Sequence, residues 1–180
     1  AAGALAAALS TAAGLLLVVS TSVSHDLLKR TFVPGITERG ELRAARLAAA
    51  GAVLAAGWLG IHPPGFVAEV VAFAFGLAAS SFFPAILLGI FSVRMNAAGA
   101  VSGMLAGIAF TASYILWFKF MHPELSTPEH WWFGISPEGI GALGAALNFA
   151  VALTIARLRP PPSAEVRRLI EDIRVPGRAR

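Results

Sequence analysis

The chain has 180 residues, of which 57% are hydrophobic and 13% charged, against roughly 25% charged in an ordinary soluble domain, so a membrane-embedded chain is favoured. Its net charge of +4 does not describe a nucleic-acid-binding face, because the basic residues lie in short segments between long apolar runs. With no cysteine, disulfides and thiolate metal sites are excluded.

A helix needs about 20 mainly apolar residues to cross the hydrocarbon layer, since its backbone polar groups must be satisfied within the segment. Five stretches qualify: 2–23, 44–61, 66–91, 98–120 and 137–157. An all-α transmembrane bundle over 1–158, followed by a tail over 159–180, is therefore expected. The opening AAGALAAALSTAAGLLLVV has neither an initiating Met nor a basic leader region, so it reads as a span rather than a signal peptide, and further helices are expected upstream of it.

The first span carries hydroxyls at membrane depth. Gly3, Ala7, Ser10, Gly14 and Thr21 follow helical spacing down one small-residue face, with Thr11 about 100° round from Ser10. One reading is packing, with each hydroxyl bonded back to the carbonyl four residues earlier. The other is that Ser10, Thr11 and a partly freed Ala7 carbonyl offer oxygens to a small hard cation, which neutral hydroxyls hold without making release difficult. The span ends in HDLLKR. There His25 and Asp26 are read either as a hydrogen-bonding cap or as members of a proton relay.

The second span, 44–61, is short enough to need little tilt. In the third, Pro84 removes a backbone donor and bends the helix, and Ser80 and Ser81 are placed to re-satisfy freed carbonyls. The three residues make either a static kink or a gate. Glu69, one turn into that span, is expected at a solvated outer interface, the alternative being an intramembrane carboxylate.

Gly99, Gly103 and Gly107 recur every four residues on the fourth span and predict a flat groove for close helix approach. On the fifth, Gly141 and Ala145 are expected to do the same, with Asn148 hydrogen-bonding across. After Pro160, Pro161 and Pro162, Ser163 is placed to cap a short helix whose apolar stripe is Val166, Leu169, Ile170 and Ile173. That helix either lies on an anionic leaflet or docks on the bundle.

Basic residues in short loops stay on the cytoplasmic side. Thirteen of the fourteen, Lys29, Arg30, Arg39, Arg43, Arg46, Arg94, Arg157, Arg159, Arg167, Arg168, Arg174, Arg178 and Arg180, border the first loop, the third loop or the tail, leaving Lys119 alone on the other side. The first residue is thus expected outside and the C-terminus in the cytoplasm. Trp58, Trp117, Trp131 and Trp132 map to outward ends, where amphipathic rings prefer to sit.

Three segments carry a resemblance: ALSTAAGLLLVVSTSVSHDLLKR at 8–30, PPGFVAEVVAFAFGLAASSFFPAILLGIFS at 63–92 and WWFGISPEGIGALG at 131–144. Together they resemble the sodium:solute symporters, and within them the acetate-permease-like branch. The resemblance spans essentially the whole chain. It implies the C-terminal part of an inverted-repeat (LeuT-like) core of ten helices, with the first span here as the eighth. It further implies a sodium site whose ligands on that helix are a carbonyl and two hydroxyls at i, i+3 and i+4, and Ala7, Ser10 and Thr11 match those positions. The substrate pocket of that architecture lies on upstream helices.

The expected function is symport of a small solute, acetate or another short monocarboxylate, coupled to Na+ or H+ and needing no other cofactor. The expected setting is a bacterial inner membrane, with the upstream helices and membrane lipid as partners and no nucleic acid. A membrane sensor without transport, or a symporter for an amino acid or sugar, is the alternative. An intramembrane enzyme is disfavoured, because His25, His62, His122 and His130 all fall at interfaces or in loops.

The orientation is tested by single cysteines in the intact protein. One placed at Ser126 should react with an impermeant thiol reagent from outside, and one at Ser163 should not; reversed labelling would overturn the topology.

Overall fold

The computed structural model describes residues 2–63 and 65–174. The described residues form helices without strands. Among the described residues, five segments are long and apolar enough to cross a membrane, the first counted from Leu5 to Phe32 and the last over Gly141–Leu158. The chain divides into two compact units, Ala1–Pro64 and Gly65–Arg180.

In the first unit, α1 (Ala2–Thr21) continues without a break as a wider π-helical stretch, Ser22–Phe32. Its last turn is closed by the Val33 amide donating to the Leu28 carbonyl at 2.7 Å, five residues back. The helix is therefore longer than the expected 2–23. The second helix, α2 (Glu38–Ile61), also starts earlier than expected, at 38 rather than 44, and has 24 residues rather than a short span. The reason is local: Thr37 caps it by accepting from the Gly40 amide, and Glu38 and Glu41 complement the positive end of its dipole. Hydropathy registers only the part of a helix that suits lipid, whereas the helix begins where its cap is. Among the described residues, this unit buries Ser20 and Ser24 and leaves Leu5, Leu9, Leu47 and Leu54 exposed.

The second unit packs α3 (Val67–Phe91), α4 (Ala97–Leu116) and α5 (Gly141–Leu158) against one another, and α6 (Ala164–Arg174) follows after a short spacer. Arg178 and Arg180 lie outside the described residues. A π-helical turn, Trp117–Met121, extends α4, and α5 begins at Gly141, four residues later than the expected 137. Helix association in lipid depends on close backbone approach, and glycine supplies it here. A Cβ on Gly107 would collide with the Ser80 carbonyl, one on Gly103 with the Asn148 side-chain oxygen, and one on Gly144 with the Thr111 hydroxyl. The small residue expected to pair with Gly141 was Ala145; the helix instead turns Gly144 inward, leaving Ala145 half-buried. Gly141 backs directly onto Gly76 of α3, where an added Cβ would lie 2.6 Å from the Gly76 Cα.

The kink in α3 is satisfied by a different residue from the one the local sequence suggests. Pro84 has no amide to offer the Ser80 carbonyl. The Ser80 hydroxyl donates to Leu77 at 2.9 Å rather than to a freed carbonyl. It is the Asn148 amide of α5 that donates to both the Ser80 and the Ser81 carbonyls, at 2.8 Å each. Asn148, Thr111 and Ser80 are each 0% exposed, so no solvent competes with this contact. The Asn148 and Thr111 side-chain oxygens have no conventional partner among the described residues. The Cα–H groups of Gly103 and Gly144 lie against them, a weak polar contact that recurs at tight helix crossings.

Asn96 plays a joining role at the other end of the unit. Its side-chain oxygen caps α4 by accepting from the Gly99 amide at 2.8 Å, while its amide donates to the Pro160 carbonyl at 3.0 Å beyond the end of α5. In the last turn of α4, at its opposite end, the Tyr114 hydroxyl donates to the Ile135 carbonyl and accepts from the Trp132 amide, both at 3.0 Å. This pins a loop that turns through Phe133 at φ 58° and Gly134 at φ 70°.

Removing Asn148 takes away the donor that serves the buried Ser80 carbonyl in place of Pro84, at about 1–3 kcal/mol. Asn148→Ala should therefore lower the thermal midpoint of the detergent-solubilised full-length protein, followed by size-exclusion chromatography after heating. Gly107→Ala should lower it further, because backbone rather than a flexible side chain must give way. An unchanged midpoint in both would show that this junction does not hold the three helices together.

Candidate functional site

The α1 helix is unbroken through Ala7, Ser10 and Thr11, so the three fall on one face at i, i+3 and i+4, all exposed. The Thr11 hydroxyl donates to the Ala7 carbonyl at 3.2 Å. The carbonyl is thus not left free, as the cation reading supposed; the hydroxyl takes the ordinary back-bonded position of a helical threonine. The three oxygen-bearing positions are nonetheless adjacent, and Ser10 is exposed. Further along, Ser20 donates to the Leu17 carbonyl at 2.9 Å and Thr21 shares the Leu17 and Val18 carbonyls at 2.9 and 3.1 Å.

The HD dipeptide is divided between two contacts. His25 Nδ1 pairs with Glu41 Oε1 at 2.8 Å, and Lys29 Nζ donates to the other oxygen of the same carboxylate at 2.7 Å. Asp26 instead faces Arg30 at 3.9 Å. One α2 carboxylate therefore clamps two consecutive turns of the π-helical stretch. His25 is thus hydrogen-bonded to a carboxylate of the neighbouring helix. No local spacing announces Glu41, which stands 16 residues away from His25. Such π-helical turns are uncommon and recur at functional sites.

Ser80, Ser81 and Pro84, the candidate gate, are all buried between α3 and α5, with Asn148 across from them. Glu69 is not simply solvated. Lys119 at the end of α4 lies 3.4 Å from Glu69 and 3.1 Å from Glu138, with its ammonium 5.8 Å from the centre of the Phe73 ring. Burial raises the Glu138 carboxyl, but its own backbone amide, the Ser136 hydroxyl and the Lys119 ammonium outweigh that and hold it below the ordinary carboxylate value. Lys119 is thus paired with two acids from elements distant in sequence. Beside it, Phe110, Ser113, Tyr114, Trp117, Phe118 and Trp132 line an open aromatic cleft.

The described residues thus hold neutral oxygens on α1 and ion pairs at helix ends. Comparison with known proteins gives this arrangement its context. Residues 1–107 match the sodium:solute symporter family, a region that contains the hydroxyl face, the Glu41 clamp and the kink. An uncharacterized symporter of Cupriavidus necator is 39% identical over 175 residues, 97% of this chain and 26% of that protein. The chain thus spans about a quarter of that relative's length. No solved structure matches it. On a match that covers 107 of 180 residues, the chain belongs to the sodium:solute symporter family.

Proposed function

We propose that this chain is part of a secondary transporter in which the Ala7 carbonyl and the Ser10 and Thr11 hydroxyls contribute to a site for the coupling cation, Na+ in the first instance and H+ as the alternative. The observation that carries the proposal is that these oxygens share one exposed face of an unbroken helix inside the segment matching the family. Their geometry suits the role. Hard-cation–oxygen bonds of about 2.3–2.6 Å in an octahedral shell put neighbouring ligand oxygens roughly 3.3–3.7 Å apart, and the Thr11 and Ala7 oxygens are 3.2 Å apart. Rotation of the Thr11 hydroxyl hydrogen away from the carbonyl turns a hydrogen-bonded pair into two acceptors. The carbonyl bond then serves as the resting state of the ligand, and the hydroxyl is already at its place. Remaining ligands come from other helices, since three oxygens do not complete a shell.

The solute we propose is acetate or another short monocarboxylate, which rests on the resemblance to the acetate-permease-like branch. Symporters for amino acids or sugars, or a sensor without transport, are the readings it competes with. We further propose an inner-membrane setting with the Glu41 clamp and α6 on the cytoplasmic side, following the asymmetry of basic residues. On that orientation the buried Ser80–Ser81–Pro84 kink, held by Asn148, acts as a gate by bending at a place whose hydrogen bonds survive the bend.

Packing and ligation make different predictions for Ser10→Ala and Thr11→Ala in the full-length protein. Loss of an oxygen partner for a charged group costs about 1–3 kcal/mol, so half-saturating sodium for uptake should rise roughly tenfold or more. Apparent solute affinity should fall at low sodium and recover at high sodium, since the two binding events are linked. Uptake measured against sodium, normalised to protein in the membrane, checks this. An unchanged half-saturating sodium in both variants would remove the assignment, and equal uptake driven by a proton gradient without sodium would point to proton coupling.

A further inference from the structure

The tail offers an independent surface. The spacer Arg159–Ser163 separates the end of α5 from α6 by five residues, so at about 3.1 Å per residue for a proline-rich segment it reaches at most roughly 15 Å. Its start is held in place, because the Pro160 carbonyl accepts from Asn96 at 3.0 Å. A headgroup layer is about 5–8 Å deep on each side of the hydrocarbon, and α5 is long enough to end at its edge. The α6 helix is therefore tethered within reach of the membrane surface whichever way it turns.

Three observations bear on what it meets there. Val166, Leu169 and Ile170 fall within a stripe about 100° wide, and although α6 comes against α3, Val166 and Leu169 stay 43% and 59% exposed. The helix has 11 residues, fewer than the roughly 12–15 that are marginal alone in water, so it needs an apolar surface to lie on. Arg94, Arg157, Arg159, Arg167 and Arg168 are all exposed, and among the described residues no ion pair engages any of them. Arg167 flanks one side of the stripe, while Glu165 and Asp172 flank the other and Glu171 stands behind. The helix itself is thus nearly balanced in charge, and the attraction for anions comes from the arginines at its edge and root.

We propose that α6, with Arg157, Arg159 and Arg167 around it, is an interfacial anchor that seats its Val166–Leu169–Ile170 stripe in a bilayer surface bearing anionic phospholipid. The apolar stripe enters the boundary between headgroups and acyl chains, and the arginines meet lipid phosphates. Through the Asn96 contact with Pro160, the anchor is joined to the first turn of α4.

The test uses the full-length protein, cleared of other cysteines, with an environment-sensitive fluorophore on a single cysteine at Leu169, at Val166 or at Glu171. It is reconstituted in vesicles of phosphatidylcholine alone or with phosphatidylglycerol. Spin-labelled lipid should quench the Leu169 and Val166 probes several-fold more than the Glu171 probe, and more strongly with phosphatidylglycerol present. Each arginine near an anionic surface is worth roughly fivefold in partitioning, so Arg159→Gln with Arg167→Gln should weaken the phosphatidylglycerol preference by more than tenfold. Equal lipid quenching at Leu169 and Glu171 would overturn the proposal. So would Leu169 shielded from both lipid and aqueous quenchers, which would mean docking on protein, or quenching indifferent to phosphatidylglycerol or to the two arginines, which would mean that anionic lipid is not recognised.

Discussion

The second unit depends on one polar contact made at its centre. Pro84 leaves the carbonyl of Ser80 without its helical donor, and in an apolar interior an orphaned carbonyl costs more than most packing contacts return. The Asn148 amide reaches that carbonyl and the next one at 2.8 Å each. It does so because Gly103 and Gly107 of α4 and Gly144 of α5 have no side chain in the way. The glycine register and the proline are therefore one device. Glycines bring the backbones together, and the proximity lets a short amide satisfy a bend that would otherwise weaken the helix.

Charged groups follow a complementary rule. They lie at helix ends, where one group serves two partners. Glu41 accepts from His25 and Lys29 in the first unit, and Lys119 lies between Glu69 and Glu138 in the second. Isolated charges at membrane depth are costly, and pairing near the ends offsets desolvation while water still screens the remainder. Mid-helix polarity is left to neutral groups: Ser10 and Thr11 on α1, Thr111 on α4 and Asn148 on α5. A cation held by neutral oxygens on α1 would sit in a stretch, residues 1–24, that carries no charged side chain.

The periodicity of the sequence settled the helical character and the number of membrane-length segments, because a backbone in lipid has few alternatives to a helix. It also located the glycine groove of α4 and the kink, which are local properties of i, i+4 spacing and of the proline ring. Ends were less legible. The Thr37 cap extends α2 through polar residues that a hydropathy pattern passes over, and the hydrogen-bond shift into π-helix after Thr21 has no single-residue marker. The three α1 positions of the candidate site share a face by helical geometry alone, whereas the bond from the Thr11 hydroxyl to the Ala7 carbonyl needed coordinates, since the rotamer of a threonine is not written in its neighbours.

What the amino-acid sequence alone determined is the set of demands: where apolar runs must cross, where Pro84 must leave a carbonyl bare, and which small residues permit contact. Tertiary structure decided which group meets each demand. Asn148 rather than Ser81 serves the kink, Gly144 rather than Ala145 faces inward, and Glu41 and Glu138 find partners 12 to 19 residues away. The physical reason is that hydrogen bonds and ion pairs act over about 3 Å, a distance that only the packing of one helix on another brings within reach of residues far apart in the chain.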